Sequence, residues 1–139
     1  MQDVIADNNA EALAAAAEDL HAYQDRFEVM ICDVSSYAQI CRLRNRAFER
    51  FSCVDCLTNN AGAAVTRALP WDDLDGWKKQ LDINLWGIVH GCHAFVPALI
   101  AQERAATIIN TGSKQGITNP PGGFAYNLSK AGVLNYTQS

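Results

Sequence analysis

Short apolar runs alternate with longer helix-forming stretches along this chain. Gln2 to Ala6 is apolar, ends at Asp7 and predicts a strand. Ala10 to Tyr23 is rich in Ala, Leu and Glu, which favour helix. Phe27 to Cys32 predicts a second strand, ending at Asp33. Ser35 or Ser36 can cap a helix running to about Arg50. Cys53 to Thr58 predicts a third strand, which runs into Asn59-Asn60-Ala61-Gly62. After a loop with Pro70, a long helix covers roughly Gly76 to Gln102, with Pro97 as a site for a kink. Thr107 to Thr111 predicts a fourth strand, and a Gly/Pro-rich loop from Gly112 to Gly123 leads into a helix near Tyr126.

Strand and helix alternate throughout, and the strands are apolar on both faces. That pattern predicts an α/β fold in which helices cover a parallel sheet on both sides. Ligands of such sheets bind at the carboxyl ends of the strands. Asp7, Asp33, Asn60 to Gly62 and Ser113 all fall at or just after those ends.

The chain has 139 residues, 49% hydrophobic and 19% charged, which is the mix of one globular domain. Its net charge of −4 argues against nucleic-acid binding, which needs a basic face. Arg42, Arg44, Arg46 and Arg50 read as a solvated helix face. The uncharged stretch Ile83 to Gln102 has the length of a membrane span, but Asn84, His90, His93 and Pro97 make it a buried helix of a soluble protein. The N-terminus lacks a basic start and apolar run, and the five cysteines are odd in number. Both features point to reduced thiols in the cytoplasm. Cys53 and Cys56 have CxxC spacing, yet on a strand they would face opposite sides, so no metal site is expected.

The chemistry concentrates near the end of the chain. Tyr126 and Lys130 are spaced to share one helix face. An ammonium beside a phenol favours the phenolate, so the pair can exchange a proton with an alcohol or carbonyl near neutral pH. Ser113, across the Gly/Pro loop, can donate to the same substrate oxygen. Asn84 lies on a helix that otherwise reads as buried; its amide either serves structure alone or holds a water behind Lys130.

Taken together, Val4 to Asp7, Cys32-Asp33-Val34, Asn59 to Gly62, Asn84 in LDINLWG, Ser113 in INTGSKQG, and Tyr126 to Lys130 resemble the ordinary, non-extended branch of the short-chain dehydrogenase/reductase family. The segments stand in the family's order and cover nearly the whole chain. The resemblance implies a Rossmann-type, doubly wound parallel sheet and NAD(P)-dependent interconversion of an alcohol and a carbonyl by hydride transfer. It implies Tyr126 as general acid/base and Lys130 as its aid and a ribose ligand. Ser113 would orient the substrate oxygen, and Asn84 would anchor a water in a proton relay. Asn60, Ala61 and Gly62 would lie against the cofactor, with Asp33 near the adenine. An acidic residue after the second family strand binds both ribose hydroxyls of NAD and repels the 2′-phosphate of NADP, so Asp7 favours NAD. In place of that role, Asp7 could cap the next helix. The substrate would be a small-molecule alcohol or carbonyl compound, and the full-length form a homo-oligomer.

The resemblance also has gaps. The family opens with a strand and a glycine-rich turn, TGxxxGxG, and none of the nine glycines follows the first strand here. The sequence ends inside the helix of Tyr126 and Lys130. The expectation is therefore a single, incomplete dinucleotide-binding domain over residues 1–139, truncated at both ends. The alternative is a catalytically inactive relative acting only as a binding or structural chain.

Overall fold

A computed structural model describes all of residues 1–139. Two parallel strand pairs form its sheets. Strand β1 (Asp3–Asp7) pairs with β2 (Phe27–Ile31), Ile5 lying opposite Val29. Strand β3 (Cys56–Asn59) pairs with β4 (Thr107–Asn110), Leu57 opposite Ile108. Parallel neighbours require long crossovers, and helices supply them.

The first crossover is α1 (Ala10–Asp19), followed by a short 3₁₀ turn at His21–Tyr23. The Asn9 side chain caps α1 by accepting the amides of Glu11 and Ala12. Asp7 is therefore not the cap; its Oδ1 takes the Asn9 amide at 2.8 Å. Helix α2 (Tyr37–Phe51) returns to the level of β3, and its Ile40 and Ala47 are buried. Ser36 sits at its N-terminal boundary but makes no capping bond through its side chain. Instead, Asp33 Oδ1 holds Ser35 through its amide and hydroxyl, at 2.9 and 2.7 Å. The arginine cluster of α2 is not wholly solvated: Arg46 pairs with Glu28 of β2 at 2.6 Å, and Arg44 donates to the Ala94 carbonyl.

The long helix comes in three pieces. Helix α3 (Leu74–Leu81) is capped by Asp73, which accepts the Gly76 amide at 2.8 Å. That bond holds the Asp73 carboxyl below its ordinary pKa. A π-helical turn follows at Asp82–Trp86, and α4 (Gly87–Ala101) runs unbroken through Pro97. The interruption thus lies a turn or more before the proline. By length and composition, Leu74–Ala101 could cross a membrane. Here it buries Ile88, Cys92, Ala94, Phe95 and Leu99 inside the protein. Cys32, Ile40, Leu57, Ala94, Phe95 and Leu99 form the main core, and Ile88, Cys92 and Val133 a second one beneath the final helix. Close approach of α4 to β3 depends on Gly91: a Cβ there would fall 2.1 Å from Asn59 Oδ1.

A short helix, α5 (Gln115–Thr118), breaks the Gly/Pro loop, and α6 (Phe124–Gln138) closes the fold. Helix α1 packs on β1 and β2, while α2 and α4 build the main core with the strands, so helices cover both faces of a partial Rossmann-type sheet. No backbone ladder joins β1 to β3. Between their carboxyl ends lies a cavity of about 140 Å³, lined among others by Ala6, Asp7, Leu57, Asn60, Ala61 and Phe95. Cys53 falls ahead of β3, so strand alternation does not govern its side chain. Its sulfur accepts from Arg104 at 3.1 Å.

Candidate active site

Tyr126 and Lys130 lie one turn apart near the start of α6. The Lys130 ammonium stands 5.9 Å from the centroid of the Tyr126 ring. Lys130 is only 3% exposed, and burial alone holds its pKa below the ordinary lysine value. Its Nζ donates to the Thr111 carbonyl at 2.7 Å. An ammonium has three protons, so two remain for other acceptors.

Thr111 joins this end of α6 to the loop after β3. Its hydroxyl donates to Asn60 Oδ1 at 3.0 Å, and its amide to the Asn59 carbonyl. Asn59 Nδ2 in turn donates to Asn110 Oδ1 at 2.9 Å. Gly62 completes the approach: a Cβ placed there would lie 3.7 Å from Lys130 Nζ and 3.4 Å from Asn84 Oδ1. Asn60 and Gly62 thus belong to the surroundings of Lys130. Asn60 and Ala61 also share the β1–β3 cavity with Asp7. Asp33 does not line that cavity, and its Oδ1 is taken up by Ser35.

Ser113 Oγ accepts the Gln115 amide at 3.2 Å, which leaves the hydroxyl proton free to be donated elsewhere. The helical turn behind it packs directly on α6. A Cβ at Gly116 would come within 2.6 Å of the Lys130 backbone. The strap from Pro120 to Gly123, between Ser113 and Tyr126, is held by Asn127, whose Nδ2 donates to the Pro120 carbonyl at 2.7 Å. The Asn127 Oδ1 is buried without a partner.

Asn84 sits inside the π turn and is fully buried. Its Oδ1 accepts the Ala63 amide at 2.8 Å. Its Nδ2 donates to the Ala63 carbonyl at 2.9 Å and to Ser129 Oγ at 3.3 Å. Ser129 Oγ passes its own proton to the Tyr126 carbonyl at 2.7 Å. The Asn84 amide therefore links the loop after Gly62 to the turn that carries Tyr126. Gln80, one turn earlier, was not among the residues singled out by sequence; it too is fully buried and bonded to this loop. A glutamine on a helix of mixed polarity carries no signal of burial. Asn127, also on a helix, escaped notice for the same reason, and Thr111, just past the end of β4, reads only as part of that strand.

A profile for short chain dehydrogenases matches residues 1–139. The chain is 33% identical to 3beta-hydroxysteroid dehydrogenase 2 of Eggerthella lenta over 136 residues, covering 96% of this chain and 52% of that protein. It is 33% identical to sulfoacetaldehyde reductase 2 of Chromohalobacter salexigens, covering 96% of this chain and 53% of the other. In structure it is similar to a short chain dehydrogenase/reductase of Burkholderia phymatum solved in complex with NAD. That likeness has a TM-score of 0.94 and 35% identity, and covers 99% of this chain and 49% of the other. The chain spans about half the length of the relatives it matches. With its parallel strand pairs and the matches running from end to end, the chain belongs to the short-chain dehydrogenase/reductase family.

Proposed function

We propose that this chain carries the proton-transfer half of a nicotinamide-dependent oxidoreductase that interconverts an alcohol and a carbonyl. The observation that carries this reading is the buried Lys130 ammonium beside the Tyr126 ring, with two protons uncommitted. In the oxidation direction the deprotonated Tyr126 oxygen takes the proton of the substrate hydroxyl, with the Lys130 ammonium beside its ring. In the reverse direction the phenol returns that proton to the carbonyl oxygen. Ser113 donates its free hydroxyl proton to the same substrate oxygen and fixes its position. Asn84 holds the Ala63 segment and the Tyr126 turn in register through Ser129.

The residues present fit a nicotinamide dinucleotide in part. Lys130 can give its two remaining N–H groups to ribose hydroxyls. The exposed Asp7 keeps acceptor capacity beyond the Asn9 amide, and it lies in one cavity with Asn60 and Ala61. When bound, the nicotinamide supplies the hydride chemistry, which no side chain can. The Asp7 carboxylate favours NAD over NADP, because it would repel a 2′-phosphate. The exposed Trp86 and Leu128 support a homo-oligomer in the full-length form.

The test is Tyr126→Phe in a protein extended at its N-terminus by the strand and glycine-rich turn of a relative. Turnover of secondary alcohols should fall by about a hundredfold or more. Binding of NAD should change little. Retention of more than about a tenth of the activity would remove Tyr126 from the acid/base role. A wild-type protein that binds nucleotide without turnover would instead favour a non-catalytic binding chain.

A further inference from the structure

Gln80 is buried, and every polar atom of its amide is used on the loop that follows Gly62. Its Oε1 accepts the Val65 amide at 2.6 Å, and its Nε2 donates to the Ala63 carbonyl. Asn84 stands four residues on, so the two amides share one side of the helix. Asn84 takes the Ala63 amide and adds a second donor to the Ala63 carbonyl. The spacing of the bonded amides, Ala63 and Val65, is the two-residue period of an extended chain. A helix thus satisfies one edge of an extended segment with side-chain amides, as a neighbouring strand would with its backbone.

We propose that Gln80 is a positioning residue: together with Asn84 it clamps Ala63 and Val65, and the clamp seats Gly62 over the Lys130 ammonium and keeps water from it. The inference rests on the reading of Lys130 as the partner of Tyr126. Gly62 immediately precedes the clamped residues, and its Cα lies where a Cβ would touch both Asn84 Oδ1 and Lys130 Nζ. The ammonium also donates to the Thr111 carbonyl and lies 5.9 Å from the centroid of the Tyr126 ring. The low pKa of Lys130 has burial as its only cause, with no charged neighbour contributing, so it reports directly on how well that cover fits. Losing the Gln80 rung strands the Val65 N–H and leaves Ala63 on Asn84 alone, and Gly62 then has room to withdraw.

Titration of the lysine side chains by carbon-13 NMR on the 139-residue chain tests this, Lys130 being assigned by its loss in Lys130→Met. In the wild type, Lys130 should titrate below the other lysines. Gln80→Met keeps the volume and removes both bonds. It should raise the Lys130 midpoint by about half a pH unit or more. Leu13→Ala thins the packing under α1, away from the site; it should lower Tm and leave that midpoint in place. An unmoved midpoint in Gln80→Met, or an equal rise in Leu13→Ala, would overturn the proposal. Should Gln80→Met fail to fold, amide exchange in the wild type decides. Val65 should exchange at least about tenfold more slowly than Ala64, and equal rates would overturn the clamp. Failure of the Tyr126 role would appear in turnover and leave these titration and exchange results standing.

Discussion

The two ends of this molecule are built differently. Between Met1 and Ser36 only Leu13 and Cys32 are buried; α1 packs on β1 and β2, and only Ala6, Cys32 and Val34 of this end reach the main core. From Gln80 to Val133 the interior holds Gln80, Asn84, Asn127, Ser129 and Lys130 alongside the apolar core. All but one of the buried polar side-chain atoms there have partners. Buried polar groups that are fully paired are stringent about position, because each lost bond strands a desolvated group. The end that would transfer a proton is thus held together by its own bonds. The end that would meet the adenosine is open and carries its chemistry on the exposed Asp7.

The largest test of this contrast is Gly116→Ala. Its Cβ would meet the Lys130 backbone rather than a flexible side chain, so α5 and α6 must part. We expect a loss of about 2–3 kcal/mol in denaturant unfolding and no turnover. A loss below about 0.5 kcal/mol would mean that the packing at this end yields more than its geometry suggests.

An intermediate effect concerns pH. Folding lowers the Lys130 pKa, so between its folded and unfolded values the unfolded chain binds more protons. Stability should therefore rise with pH through that window, which lies below the ordinary lysine value. The slope is at most about 1.4 kcal/mol per pH unit, the one-proton limit. Lys130→Met should flatten it, and an unchanged slope would assign the dependence to other groups.

The smallest expected effect on stability is at the other end. Asp7→Ala removes one exposed bond to the Asn9 amide, and should change unfolding by less than about 1 kcal/mol. In the N-terminally extended protein it should narrow a preference for NAD over NADP. If Asp7→Ala destabilised the fold as much as Gly116→Ala, the two ends would not differ in the way described.

Much of this was legible in the sequence because periodicity and motif order are local signals. The strand ending at Asp7 and the helices bearing Arg46 and Lys130 appear close to where the pattern of apolar residues put them. What was not legible depends on which face a residue ends up presenting. Cys53 reads as part of a strand that begins only at Cys56. Gln80 looks like any polar helix residue until α6 and the Ala63 loop close over it. The fates of Asp33 and Ser35, bonded to each other, are set by a turn whose geometry leaves no periodic trace.

The π turn at Asp82–Trp86 has a consequence for how this chain tolerates change in length. There the Gly87 amide reaches back to the Asp82 carbonyl, five residues away, so one residue more than usual is spent on the turn. Each residue of an α-helix advances its side chains by about 100°. The wide turn absorbs that residue, so Gln80 before it and Ile88 and Cys92 after it keep the bearing of a regular helix, while Asn84 inside it is displaced toward the Ala63 loop. Deleting a single residue here would restore a regular helix with its two halves still in register, and would cost only the placement of Asn84. The same deletion within α4 would turn everything beyond it by about 100° and swing the apolar stripe off the core. A helix rarely forgives deletion, and this one has a single turn where its frame can absorb one.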